Sequence, residues 1–575
     1  MIMKTFIKIF AGSFAALFMT ASCSNDLLDL VNPNSLTSES AYNQEEDINT
    51  GLVGVYHLFN GGYYSLNQTL MFSGQSDLML SYSPDNSIID FITFKYPDYA
   101  KGTNNNTWND LYAHIARCNQ VIEYADKVEE WKKYDKEQII AQAKAIRAYV
   151  YYQLTMLYQK VPYVDYVAPP GDQPSETSYD FLCEKIIADA QYAYETLPAD
   201  YTTGVWAGQY RVTKWFAAAV LGKTYMNWNN QYAKAIPYFE DIINNGKSIA
   251  GVKLALVENV LWNTDDAHEN NCESIFEIQN TQGEAQNGAG YFAALGWGAN
   301  NGATPDRGNW RWKFMGATPV GWGDYDSEIW VLPAFKNEKT VADTPSTTAG
   351  QWDPRLECSL LYYGIFEDFP GHKQWQWEEW NGANWGGLED GKRAAINKYV
   401  NWSGGNYLEH IQNEEPTNYR IFRLGDIILN YAECLANTND LSGAIEQIDI
   451  IRKRAGLAKL ADRVPVESKL THHLTGKALD FNADYGYAAI KSGSYTLKDV
   501  MSVLDIESMK ETCFEGDRIV DLRRWGVGDM SSDFYKKVAA RSSKYDKNFA
   551  PHKVWIPMPS NDVNNNPNLN QIEGY

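Results

Sequence analysis

The sequence predicts a mainly α-helical protein: a scaffold of tetratricopeptide-like helix pairs with a large loop-rich, aromatic-rich region on one side. Three observations predict it. Long stretches place apolar residues three and four positions apart, the spacing of one helix face. Leu221-Gly222-x-x-Tyr225 followed by Ala235-x-x-x-Phe239 carries the small-plus-aromatic signature of a tetratricopeptide pair, and Tyr431-Ala432 followed by Ala444-x-x-x-Ile448 looks like a second. Between them, Gly283 to Trp385 holds ten of the nineteen tryptophans, set among glycine, asparagine and aspartate with neither a helical nor a strand period.

Composition narrows the function. Charged residues make up 21% and aromatics 14% of 575 residues, the balance of a globular chain and not a disordered one. A net charge of −22 argues against nucleic acid and against electrostatic attachment to anionic lipid. A neutral ligand such as an oligosaccharide needs no charge match. The seven cysteines are scattered, so there is no CxxC redox pair or zinc knuckle, and Cys118, Cys183, Cys434 and Cys513 read as small buried hydrophobes in helices.

In chain order, residues 1–22 are a signal peptide: Lys4 and Lys8, a short apolar run, then Thr20-Ala-Ser before Cys23. The cysteine after small residues is the expected lipidation site, with residues 23–40 as an acidic tether. Residues 41–575 are expected to form a single domain, its ligand-binding loops at about 283–400. Helices are expected over Ser40–Phe59, Trp108–Val128, Asp135 to Val161-Pro162, Tyr179–Leu197, Val212–Gly246 as a pair, Leu429–Arg454 as a second pair, and Leu497–Phe514. In the Asp135 helix, Ile139, Ala143, Ile146, Val150, Leu154 and Leu157 form one stripe. Gly61–Asn106 reads as irregular with strand-like pieces such as Ser87–Phe94. Asp517, Arg518, Asp521, Arg523 and Arg524 are spaced for ion pairs along a helix, and the tail from Val554 is proline-set and extended.

The tryptophan region carries the chemistry. An exposed indole offers a large rigid apolar face suited to the C–H face of a sugar, and loops are where binding function concentrates. Tyr291, Trp297, Trp310 and Trp312 are the predicted platform, with Arg311 and Asp306 in reach of hydroxyls. Tyr82, Asp85 and Asn86 form a second polar group, and Trp375 with Trp377 a second wall. The plainer reading of any one of these rings is an anchor that pins a long loop. Gly386–Lys392 matches GxxxxGK, but Arg393 replaces Ser or Thr and no strand precedes it, so a phosphate loop is rejected. Asp324-x-Asp326-x-Glu328 reads as a solvated turn, not a calcium loop. Neither HExxH nor GxSxG occurs, so a glycoside hydrolase is the least favoured reading.

Taken together, several stretches resemble one family. They are Cys23-Ser-Asn-Asp, Trp108-x-x-Leu-Tyr112-x-x-Ile115 with Asn119, Ala143-x-x-x-Arg147-Ala-Tyr149 and Val161-Pro-Tyr163. Further along come Asp353-Pro-Arg-Leu356, Arg423-Leu-Gly-Asp, Tyr431-Ala-Glu433, Ile451-Arg-Lys-Arg-Ala-Gly456, Glu515-Gly-Asp-Arg518, Asp521-Leu-Arg-Arg-Trp525 and Ile556-Pro-Met-Pro559 with Asn566-Pro567. The chain is similar to the SusD/RagB family of outer-membrane nutrient-binding lipoproteins. The residues show no cofactor or metal motif, and the resemblance implies a non-catalytic protein anchored to the cell surface through lipidated Cys23. It also implies that the protein captures oligo- or polysaccharide for a SusC-like TonB-dependent transporter. Peptide is the alternative ligand. Trp108 falls at a scaffold position of the family and is left out of the site.

Overall fold

The computed structural model describes residues 42–81, 89, 91–96, 103–257, 268–280, 325–341, 352–362, 394–398, 418–472 and 474–575. Eight helices form a stack. They are α1 (Glu45–His57), α2 (Thr103–Ala125), α3 (Lys136–Tyr158), α4 (Tyr179–Thr196), α5 (Lys214–Asn227), α6 (Tyr232–Asn245), α7 (Leu424–Asn437) and α8 (Leu441–Arg454). Each packs on the next, including α6 on α7, and α9 (Leu497–Thr512) packs on α7 and α8. Residues 246–423 are therefore an insertion between two neighbouring helices of one stack.

Local sequence fixes the helix starts. The Asp135 carboxylate accepts the Gln138 N–H at 3.2 Å, Ser178 Oγ accepts Phe181 N–H, and Asp440 accepts Gly443 N–H at 2.9 Å. Each satisfies a donor that an α-helix start leaves without a partner. Pair geometry follows from residue size. A Cβ on Gly222 would lie 2.4 Å from Phe239 Cε1, so glycine is what lets α5 lie against the α6 ring.

Helix α3 departs from the expected single stripe. It is buried on almost every side from Ile139 to Tyr158, because α2, α4 and α5 all pack on it. Its polar residues are paired internally: Arg147 with Asp189 at 2.7 Å and with Asn119, Gln153 with Tyr63 Oη at 2.8 Å, Gln142 with Tyr56 Oη at 2.9 Å. Cys118, Cys183, Cys434 and Cys513 are buried and free, as expected.

Among the described residues strands are few and short. β1 (Met79–Ser81), β3 (Tyr325–Ser327), β5 (Ala394–Ile396) and β4 (Leu360–Leu361) form an antiparallel sheet in the order β1-β3-β5-β4. β2 (Ser274–Ile278) pairs with β6 (Tyr419–Arg423), and Lys469–Thr471 with Ala478–Asp480. The strand-like reading of Ser87–Phe94 is corrected. Ile89, Phe91 and Ile92 are helical, with Thr93 N–H donating to the Ile89 carbonyl, because the apolar side chains are taken up by the core on adjacent positions and not in alternation. The tail also differs from a wholly extended chain, since Ser560–Asn565 is a short helix. Among the described residues no helix is long and apolar enough to cross a membrane.

Candidate functional site

Every residue predicted to touch ligand — Tyr82, Asp85, Asn86, Tyr291, Trp297, Trp310, Trp312 and Trp375 — lies outside the described residues, as do Cys23 and Gly386–Lys392. What is described is where their segments join the scaffold. Segment 82–88 begins after Ser81 at the end of β1, and segment 281–324 ends before Tyr325 at the start of β3. Ser81 and Tyr325 are register partners. The other end of 281–324 follows Asn280, whose N–H donates to Asn418 Oδ1 at 2.7 Å, directly after segment 399–417. Topology thus brings the junctions of the Tyr82–Asn86 and Tyr291–Trp312 segments to one corner. The Trp375 segment joins elsewhere: it runs from Tyr362 to Ala394, and Ala394 pairs with Ser327, at the far end of the same sheet.

A buried ionic lattice fixes these junctions, and α9 is its centre. Arg355 binds Asp353 at 2.8 Å, Glu507 at 3.0 Å and Glu511 at 3.4 Å. Arg452 binds Glu338 and Glu507, both at 2.6 Å. Arg423, at the end of β6, spans Glu273, Glu511 and Glu515 at 2.6–2.7 Å. Lys398, directly before segment 399–417, binds Glu515 and the Glu511 carbonyl. A second knot joins Asp77, just before β1, and Asp505 of α9 to Arg518 and Arg541. The Arg541 guanidinium also lies 4.4 Å from the centroid of the Trp330 ring.

Taking such charges out of water costs several kcal/mol per ion, and only near-complete pairing offsets it. The carboxyl groups show that balance. Burial pushes Asp505 and Glu507 toward the neutral form, yet the surrounding Arg and Lys charges outweigh it and hold both down at about 2. The same competition lowers Asp77 and Glu511 and raises Arg355 and Arg423. These groups are engaged as braces, an arrangement suited to holding chain positions and not to moving protons.

Two sequence readings are corrected here. Of the residues spaced for ion pairs along one helix, only Asp521 and Arg524 pair locally, at 2.7 Å. Arg518 pairs with Asp77 and Asp505, Asp517 with Lys223 of α5, and Arg523 donates to the Met156 carbonyl and stacks on Trp555 at 3.6 Å. The partners are far away in sequence, so spacing could not reveal them. Asp326 and Glu328 are not in a solvated turn. Both are buried, and Glu328 accepts from Ser542 Oγ at 2.7 Å. Two of the ten tryptophans are described. Trp330 is fully buried with its N–H on the Asp77 carbonyl, the plain anchor role. Trp352 is half-buried, with Lys336 and Lys339 5.7 and 5.6 Å from its ring.

Comparison with known proteins places this architecture. The profile of the SusD family matches residues 272–575, and a second, described as starch-binding associating with outer membrane, matches residues 26–226. A SusD-like protein of Formosa agariphila is 23% identical over 96% of both chains, and one of Bacteroides ovatus is 24% identical over 80% of this chain and 78% of its own. The fold is shared with a SusD superfamily protein of Bacteroides vulgatus (TM-score 0.68, 22% identity, 93% and 100% of the two chains). It is also shared with a laminarin-binding SusD-like protein (0.65, 20%, 93% and 100%) and with surface glycan-binding protein A of Bacteroides fluxus (0.65, 20%, 93% and 100%). A mainly α-helical stack, an insertion between α6 and α7 and a family profile covering more than half of the residues lead to one conclusion: the chain belongs to the SusD family.

Proposed function

We propose that this protein is a cell-surface glycan-binding lipoprotein, anchored through Cys23, that captures oligo- or polysaccharide and passes it to a TonB-dependent transporter without cleaving it. One observation carries the reading. The junctions of the two segments richest in candidate sugar-binding groups, 82–88 and 281–324, meet at the paired ends of β1 and β3. Membership of the SusD family and fold neighbours named for laminarin and surface-glycan binding support a saccharide as the ligand. Tyr291, Trp297, Trp310 and Trp312 then supply stacking faces and Tyr82, Asp85 and Asn86 hydroxyl partners, with Trp375 on a separate wall.

Affinity electrophoresis of residues 24–575 through a panel of polysaccharides tests this reading. Retardation by at least one neutral polysaccharide, weakened when Trp297, Trp310 or Trp312 is changed to Ala, is expected. Retardation untouched by those three but lost in Trp375→Ala moves the site to the second wall. Retardation by none, with saturable binding of peptides, contradicts the reading.

A further inference from the structure

The turn between α9 and α10 (Arg518–Arg524) is strained. Phe514, Gly516 and Asp517 have φ of 62°, 116° and 59°, three left-handed residues out of four, two of them not glycine. Side chains rarely adopt this conformation, and such backbone persists only where the surroundings over-determine it. Here they do. The Glu515 carboxylate binds Arg423 through Nε at 2.6 Å and Nη2 at 2.8 Å, and also the Lys398 ammonium. Its backbone carbonyl accepts from Tyr419 Oη at 2.7 Å. Asp517 binds Lys223 of α5 at 2.8 Å, and Arg518 binds Asp77 ahead of β1 at 3.0 Å.

One residue in this turn therefore touches both flanks of segment 399–417. Lys398 directly precedes the segment, and Tyr419 and Arg423 belong to β6, which starts one residue after Asn418. Through Arg423 the same carboxylate reaches Glu273, one residue before β2, the strand that leads into segment 281–324. The strain has a geometric consequence: the left-handed turn presents the carbonyl and the side chain of a single residue to these neighbours at once.

We propose that the Phe514–Arg518 turn is the positioning hub of the binding face, and that Glu515 is a positioning residue clasping the two ends of segment 399–417 to the helical stack. The functional part of this proposal rests on the glycan-binding reading. Glu515 touches no ligand in this account. It acts by fixing the separation of two junctions, so its loss misplaces ligand contacts without removing any.

The test compares residues 24–575 with Glu515→Gln, which keeps the shape and removes the charge, and with Lys398→Gln, which removes one arm of the clasp. Asp189→Asn, a buried pair within the helical stack, serves as the control for general destabilisation. Hydrogen exchange by mass spectrometry is read alongside affinity for whichever polysaccharide retards the unchanged protein. Both clasp variants are expected to exchange faster at 394–398 and 418–423, about tenfold, with 136–158 and 214–245 unchanged. Affinity is expected to fall about tenfold. Asp189→Asn is expected to melt earlier yet leave junction exchange and affinity as they were.

Exchange that rises uniformly in the clasp variants, or affinity lost equally in Asp189→Asn, overturns the proposal. If Glu515→Gln does not fold, Lys398→Gln decides by the same readouts. If no polysaccharide binds the unchanged protein, the glycan reading fails, and junction exchange alone accepts or rejects the clasp.

Discussion

Glu507 shows most directly what the interior asks of a single side chain. Its two oxygens serve Arg355 and Arg452 with no exposure to solvent. Glu507→Ala leaves two guanidinium groups short of a partner, and removing one partner of such a pair typically costs about 3–5 kcal/mol. Urea unfolding is expected to show a loss of that size. Asp505 and Glu507 ionise near 2 in the fold and near 4 unfolded, so their contribution is full above about pH 4 and is lost as pH falls toward 2. Asp110 and Asp521 run the other way. Burial lifts both to about 6; the Tyr63 N–H only partly offsets this for Asp110, and Arg524, shared with Glu433, only partly for Asp521. Their folded-state values lie above the unfolded ones, so they penalise the fold as pH rises through 6. The contribution of these two groups to thermal stability is expected to rise as pH falls from about 6 to 4, opposed by His114, which burial holds neutral down to about 3, and the Asp505 and Glu507 contribution to fall below about 4. Asp521→Asn is expected to flatten the upper limb, and a melting series from pH 3 to 8 with and without it checks both signs. At this scale the sequence was partly legible. The cap Asp135 could be read because a cap acts within three residues. The lattice could not, since Arg355 and Glu507 are 152 positions apart and nothing local marks either as buried.

At the scale of elements, the tetratricopeptide-like pair was the most legible feature, because its packing is written in residue size at short spacing. Gly222→Ala tests that account. Alanine is the better helix former by about 1 kcal/mol, but its Cβ would sit 2.4 Å from a buried Phe239 ring. Overpacking of a filled core costs about 1–3 kcal/mol, so a net loss is expected, and Gly222→Ala combined with Phe239→Leu should recover part of it. Chemical denaturation of the three chains measures this. The four-stranded sheet was illegible for a physical reason: its strands of two or three residues carry no period. Their pairing is dictated by Arg518 and Arg541 gripping Asp77 before β1 and by Ser542 gripping Glu328 after β3. Segment 89–94 misleads for the complementary reason, since β-branched and aromatic residues there are absorbed by a helical turn against the core. Tertiary context overrides intrinsic preference for such residues.

For the whole molecule, the packing of α6 on α7 matters most. It makes residues 246–423 an excursion between two helices that pack directly on each other. The aromatic composition of that excursion pointed to a sugar-binding surface from the sequence. Which rings face ligand is not written in composition, because an anchoring indole such as Trp330 and a binding indole look alike in a string of letters. Anchoring belongs to this scale too. In cells, Cys23→Ala is expected to move the protein from the membrane to the soluble fraction and to abolish labelling by palmitate, since stable attachment requires the acyl chains. The central claim, capture of a glycan by a family scaffold, is tested most directly by isothermal titration of residues 24–575 with a defined oligosaccharide from whichever polysaccharide retards the protein. Saturable binding, weakened in Trp310→Ala or Trp312→Ala, with no new reducing ends after overnight incubation, is the predicted result. Released reducing ends, or binding heat with peptides and none with any glycan, would contradict the account.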